Sequence, residues 1–358
     1  MGIQKAAPGP AEKIEALAKS LEPDIAAAIL KALEDQKSAV SLESIAEALE
    51  QGNVQKVLDL LSIDEFKVAA GDFGHSLANA VWKGGALATQ GITAYREVSF
   101  GFEQLNPTLV NWLQNYQLDL IRQINDKTRE GIRQVLTDSM IRGENPRDAA
   151  VDVRQLIGLT SKQSQAVLNF RKELEGFHER GGAGGYNLGA KIDRVNGNQV
   201  YKPDADGNPK DGITERRLRD FRYDGQLTRA METGKPLTKA QIDKMVDAYA
   251  RKYLRYRSQM IARTEAMRAT NVGVQDAWRQ AIEGGKVSEE LVRRQWILAK
   301  DERVCPTCAP VPGMNPERGV KFGQPFKTPI GPVMYGPLHP DCRCTVWIQQ
   351  FEPSQLQD

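Results

Sequence analysis

Apolar residues recur at steps of three and four along most of the first 180 positions, the period of an amphipathic helix. Ala11 to Leu33 is rich in Ala, Leu, Glu and Lys, and shorter helical runs follow at Leu42 to Leu49 and Val54 to Leu61. The clearest element opens at Asn106-Pro107, where Asn suits an N-cap and Pro the first helical turn. Its stripe of Leu109, Leu113, Tyr116, Leu120, Ile124, Ile132 and Val135 predicts one helix to about Arg142. Gly143 and Asn145-Pro146 end it and begin the next, and Thr160 with Gln163 forms a capping box for another helix to about Glu175.

The period breaks at Gly181 to Gly189. Lys191 to Lys202 then alternates around Asn196-Gly197, which predicts a β-hairpin. Asp204, Asp206, Asn208 and Glu215 have the spacing of a calcium loop, but Pro209 occupies the position that needs Gly, so this stretch reads as a turn cluster. Helices resume near Thr214. Thr238 and Gln241 make a further capping box, and a seam at Tyr249, Tyr253, Tyr256, Met260, Thr264, Met267, Asn271, Val274 and Trp278 predicts one long helix facing a core. Gln295 to Ala299 and Thr345 to Ile348 read as strands on either side of a Pro- and Gly-rich stretch. The expected fold is mainly α with a small α+β C-terminal module. It divides into a flexible tail (1–10), a helical region (11–180), a Gly-rich loop with hairpin (181–213), the C-terminal module (214–350) and a short tail (351–358).

Composition narrows the class. Apolar residues make up 41% and charged residues 26% of 358 positions, with a formal net charge of +2. Those values fit a globular protein and do not by themselves require nucleic acid. No run reaches the ~20 apolar residues of a membrane helix, so no membrane partner is expected.

The four cysteines all fall between Cys305 and Cys344. Cys305-Pro306-Thr307-Cys308 places two thiolates two residues apart, the spacing with which a tight turn grips zinc. His339 and Cys342 repeat it, so the expected site is one structural zinc held by Cys305, Cys308, His339 and Cys342. Cys344 could replace His339, although strand geometry would hold it away from Cys342. Reduced cysteines without metal, or a disulfide, are the alternatives. Four good ligands argue against the open position that a catalytic zinc needs.

Arg263, Thr264 and Glu265 in the seam helix, Asn271 further along it, and Asp301 with Arg303 before the first cysteine pair could form a charged active site. The plainer expectation is a buried polar network joining helix to C-terminal module. Basic residues cluster at Arg216, Arg217, Arg219 and Arg222 and at Arg251, Lys252, Arg255 and Arg257, with tyrosines between them. That pattern could hold phosphates, but acids among them favour a solvated face.

Several of these motifs occur together in one family. Ala248-Tyr249-Ala250, Ile261 to Glu265, Asn271-Val272-Gly273, Trp296, Asp301 to Val304, the Cys305/Cys308 pair, Gly313, Phe326 and His339 to Cys344 resemble the Mu F-like phage head morphogenesis proteins over about Phe221 to Ile348. The resemblance implies a non-enzymatic minor head protein of a tailed bacteriophage, placed in the virion head near the portal vertex and assembled in the host cytoplasm. Its implied partners are the portal protein, the major capsid or scaffold protein, and possibly packaged DNA. The amphipathic N-terminal helices would offer the partner surface. A DNA-binding packaging or ejection accessory and a zinc-finger nuclease are the competing functions, the latter lacking histidines beside His339.

Overall fold

The computed structural model describes residues 9–60, 71–96, 99–141, 143, 145–181, 191–192, 199–200, 218–299 and 304–356. The Asn196-Gly197 turn, the Asp204 to Asn208 cluster, Glu215, Arg216, Arg217, Asp301 and Arg303 lie outside the described residues.

Nine helices are present among the described residues: α1 (Pro10–Ala39), α2 (Leu42–Glu50), α3 (Val54–Asp59), α4 (Gly71–Arg96), α5 (Pro107–Ile141), α6 (Pro146–Leu156), α7 (Ser161–Glu175), α8 (Asp224–Thr233) and α9 (Lys239–Glu283). The caps are the ones the sequence predicts. Asn106 Oδ1 accepts from the Thr108 N–H at 2.9 Å ahead of α5. The Thr160/Gln163 box is closed in both directions. The Thr238 backbone N–H donates to Gln241 Oε1, and Thr238 Oγ1 accepts from the Gln241 N–H. These bonds satisfy backbone donors that a helix start leaves unpaired. Strands β1 (Lys191–Ile192) and β2 (Gln199–Val200) pair antiparallel, as a hairpin requires. Strands β3 (Val292–Ile297), β4 (Val320–Lys321) and β5 (Thr345–Gln350) form an antiparallel sheet in the order β4-β3-β5. The sequence pattern did not predict β4, two residues inside the Pro- and Gly-rich stretch.

The chain divides into two compact units. One comprises Met1–Ala32, Phe66–Arg122 and Arg257–Asp358, and the other Leu33–Glu65 and Gln123–Tyr256. In the second unit a core cluster joins Ile45, Leu49 and Leu58 to Ile132, Leu136, Val153 and Ile157. Gly158 there adopts φ +85°, a left-handed turn that most side chains resist, against Leu33 and Leu254.

The first unit is organised around α4 and α9. Here the two backbones approach so closely that a Cβ on Gly273 would collide with the Val81 carbonyl, and one on Gly84 with the Thr270 carbonyl. Two glycines on facing helices therefore set the spacing. Around them Ala80, Val81, Ala266, Ala269, Ala277 and Ala281 are all fully buried, small residues that suit a close crossing.

Two expectations need correction. Tyr256 does not share the seam of α9; it is 47% exposed, while Leu254, Arg257 and Ser258 are buried beside it. The apolar stripes of α1 and α5 are not open partner surfaces either. Ile14, Leu21 and Ile25 on α1, and Leu109, Ile124, Ile132 and Val135 on α5, are already buried in the folded chain.

Gly273→Ala should therefore destabilise the protein by about 3 kcal/mol, because the added carbon meets backbone that cannot swing aside. Gly91→Ala, in open space on α4, should instead gain up to ~1 kcal/mol of helix propensity. Thermal and urea unfolding of the two variants would check the contrast; equal effects would mean the crossing is looser than described.

Candidate metal centre and its polar support

The site lies in the first unit, where two turns bring five potential ligands together. In the first turn the Cys308 N–H donates to the Cys305 carbonyl and also lies 3.3 Å from Cys305 Sγ. In the second, the Cys342 N–H donates to the His339 carbonyl, and Asp341 between them has φ +64°. A left-handed non-glycine residue is costly unless the surroundings hold it. Here α9 does so. The Thr264 hydroxyl accepts the Asp341 N–H at 2.9 Å, and the Arg263 guanidinium pairs with the Asp341 carboxylate. Arg263 also reaches Glu22 of α1 at 3.5 Å.

His339 Nε2 lies 2.8 Å from Cys305 Sγ and 3.2 Å from Cys308 Sγ, and Cys308 Sγ lies 3.6 Å from Cys342 Sγ. Around a tetrahedral ion with Zn–S near ~2.3 Å and Zn–N near ~2.0 Å, ligand atoms sit roughly 3.5–3.8 Å apart. The donors are thus gathered at nearly the spacing of a shared ion. They form two overlapping triads, Cys305/Cys308/His339 and Cys308/Cys342/Cys344, either of which could hold a metal. Cys308 belongs to both. All four cysteines are free thiols.

The position of Cys344 differs from the strand-based expectation. β5 begins only at Thr345, so Cys342 and Cys344 precede it, and the bent backbone lets both sulfurs approach Cys308. Five candidates therefore stand around a centre that needs four.

The protonation pattern of the candidate ligands is mixed. The Cys344 thiol, hydrogen-bonded to Cys342, and nearby backbone N–H groups outweigh burial and hold Cys342 down at about 5. Burial raises Cys305, but the Cys308 N–H and thiol reverse this and leave it below the ordinary range. Cys308 is pushed up, first by burial and then by its thiol neighbours. The His339 Nδ1 lies 2.8 Å from the Pro340 carbonyl, so with a proton there it donates and turns a bare Nε2 toward the sulfurs. Metal ligands must shed their protons, and the centre is uneven in this respect: Cys342 and Cys305 are lowered, whereas Cys308 is raised by burial and Cys344 by its hydrogen bond to Cys342 and by burial.

The remaining polar residues distribute around the same helix. Asn271 Oδ1 accepts from the Thr345 hydroxyl at 2.6 Å and from the Val346 N–H at 3.3 Å, which fixes the start of β5. Glu265 turns elsewhere: its carboxylate accepts from the Tyr116 hydroxyl of α5 at 2.5 Å and lies 3.6 Å from Arg268. Burial raises the Glu265 pKa against the attraction of Arg268. Tyr116 stacks on Trp112, with ring centroids 4.8 Å apart.

Sequence reasoning passed over Arg294. It sits on the central strand β3 with no exposed surface. Its guanidinium donates to Gln275 Oε1 at 2.9 Å and to the Met334 and Gln324 carbonyls, and it lies 5.2 Å from the Phe326 ring centre. Burial lowers its pKa to about 10. Its hydrogen bonds tie α9 to the Pro- and Gly-rich stretch. An arginine in a strand gives no sequence signal for this, because its acceptors are mostly distant backbone carbonyls.

The basic cluster is largely balanced internally. Arg219 pairs with Asp224 at 3.1 Å, Arg222 with Asp220 at 2.6 Å and Arg251 with Asp247 at 2.8 Å. The Lys252 ammonium donates to the Arg219 carbonyl at 2.7 Å.

The architecture is thus a helical protein whose C-terminal part carries a thiolate and imidazole centre, braced by one long helix and a three-stranded sheet. Residues 224–347, from the start of α8 into β5, match the family described as Phage Mu protein F like protein, a phage head morphogenesis family. The segment agrees closely with the span on which the sequence resemblance rests. No curated protein and no solved structure matches the chain. Among the described residues no helix is long and apolar enough to cross a membrane.

Two outcomes follow from this geometry. Metal analysis of protein purified without added metal should find close to one equivalent per chain, and Cys308→Ser, which breaks both triads, should abolish it. His339→Ala and Cys344→Ser should differ, since only one of these can be the fourth ligand; full retention in Cys308→Ser would remove the site. The second outcome concerns Glu265. A carboxyl raised on folding contributes most below its ordinary value of 4.5 and loses that contribution as pH climbs through the raised one. Wild type and Glu265→Gln should therefore have similar urea midpoints near pH 4 and diverge in favour of the variant toward pH 8. Divergence the other way would mean that Arg268 outweighs burial.

Proposed function

We propose that this chain is a minor head protein of a tailed phage, a structural component at or near the portal vertex, whose C-terminal module is closed by one zinc ion. The observation that carries the reading is the family match across 224–347, which spans both cysteine turns and the helix that braces them. Zinc is the metal best suited to a set of thiolates with one imidazole, and four protein ligands would leave no position for a reacting water. On this reading zinc is resident and structural. It joins two turns that flank a stretch with little regular structure of its own.

The role is not catalytic. Arg263, Thr264 and Asn271 are engaged in holding the backbone of the C-terminal module, and Glu265 is held between Tyr116 and Arg268. Charged groups arranged to satisfy one another serve a scaffold. A zinc-finger nuclease would need a second histidine at the centre, and the other two histidines of the chain, His75 and His178, are not among the clustered ligands. Direct binding of packaged DNA is the weaker alternative, because the arginine-rich turn and helix carry their own acids. The portal, capsid or scaffold proteins are therefore the proposed partners, met in the host cytoplasm during head assembly.

Mass spectrometry of purified virions, before and after release of their DNA, should find the protein in few copies that stay with the emptied head. Absence from virions would overturn the reading, and loss together with the DNA would favour the ejection alternative.

A further inference from the structure

The turn that carries His339 and Cys342 is gripped at a residue that is not a candidate ligand. Asp341 has φ +64°, a left-handed backbone that costs free energy in a residue other than glycine. Within the turn, the Cys342 N–H donates to the His339 carbonyl at 3.3 Å, a long bond for an amide donor.

α9 supplies two further bonds. The Thr264 hydroxyl donates its single proton to the Met260 carbonyl at 3.0 Å, one turn back along the helix. Its lone pairs are then left for the Asp341 N–H, which donates to it at 2.9 Å. Thr264 is only 6% exposed, so little water competes for this bond. Arg263 approaches from the preceding position of the helix. Its guanidinium pairs with the Asp341 carboxylate and lies 3.5 Å from Glu22 of α1. Neither bond ends on a residue of the two ligand triads.

We infer that Thr264 and Arg263 are positioning residues of the metal centre, which set its affinity for the ion by holding the His339–Cys342 turn in its ligating shape. The inference rests on the metal-centre reading, and it concerns affinity and not coordination. A site whose ligating shape is populated only in part binds its ion more weakly in proportion to that fraction. Without its tethers, a left-handed aspartate relaxes toward commoner backbone conformations, which turn His339 and Cys342 apart. The two tethers are unequal. Losing the Thr264 hydroxyl leaves the Asp341 N–H without its acceptor, and an unmade bond of this kind is costly. The Arg263 and Asp341 side chains are 39% and 40% exposed, so water screens their attraction. Thr264 therefore carries the larger share.

Titration of the full-length protein with cobalt(II), in competition with a chromophoric chelator, tests this. The competition gives the affinity, and the cobalt absorption bands report the ligand set. Thr264→Val keeps the side-chain shape without the hydroxyl and should bind cobalt about tenfold more weakly. Thr264→Ser restores the hydroxyl and should bind within about twofold of wild type. Arg263→Gln should weaken binding about threefold. Band positions should match wild type in all three variants, because no ligand changes. Wild-type affinity in Thr264→Val would overturn the inference. Equal weakening in Thr264→Ser would do the same, since the hydroxyl would then not be the active group. A shifted spectrum would also overturn it, because the variant would have exchanged a ligand. Should Thr264→Val lose helical content, the exposed Arg263→Gln decides by the same two readings. Wild-type protein that binds no cobalt would sink the metal-centre reading itself, whereas tight binding that ignores both substitutions would sink only the positioning role.

Discussion

The C-terminal module depends on how α9 holds one residue of a turn. Asp341 adopts a left-handed backbone between His339 and Cys342, and the Thr264 hydroxyl and Arg263 guanidinium hold it there. About two turns further along the helix face, Asn271 holds the beginning of β5. The helix therefore acts as a jig. It presents polar groups at fixed intervals, and a chain segment with many prolines and glycines is bound to it point by point. Loops of this kind cannot be ordered by apolar burial alone. The buried Arg294 and the polar residues of α9 supplement the few buried apolar residues of this stretch, Val311, Val320, Phe322 and Phe326.

That jig must itself be rigid, which explains the neighbouring packing. Gly273 lies just two residues beyond Asn271 and sits against the α4 backbone. A larger residue would push α9 away from α4 and shift Asn271 relative to β5. The sequence run Asn271-Val272-Gly273 thus combines two needs in three positions: a polar group aimed at the strand and the absence of a side chain toward the helix. The motif resembles its family for reasons that are visible in this one molecule.

Much of this was legible beforehand because it is local. Caps at Asn106, Thr160 and Thr238 announce helix starts, and pairs of ligands two residues apart announce a metal centre. Asn271 and Thr264 could be singled out as polar residues on an otherwise apolar seam. What could not be read is non-local. The terminal nitrogens of Arg294 donate to Gln275 and to carbonyls some 30 and 40 residues away, and Glu265 accepts from a tyrosine 149 residues earlier. Nor does periodicity tell which body buries a stripe. The apolar faces of α1 and α5 have the pattern of a partner surface, yet the same pattern serves a chain that folds onto itself. Cys344 shows a related limit: it precedes the strand that begins at Thr345, so the alternation of strand side chains does not govern its distance from Cys342.

Around Arg263, Asp276 and Arg294, hydrogen bonds or ion pairs engage the side chains within the chain itself. Single buried atoms without a hydrogen-bond partner are spread through the same module, Gln350 Oε1 in β5 as well as Arg294 Nε, Asn271 Nδ2 and Trp296 Nε1. The helix that braces the cysteine cluster also takes up the first outward amide of β5, at Val346, so one element fixes both ends of the module.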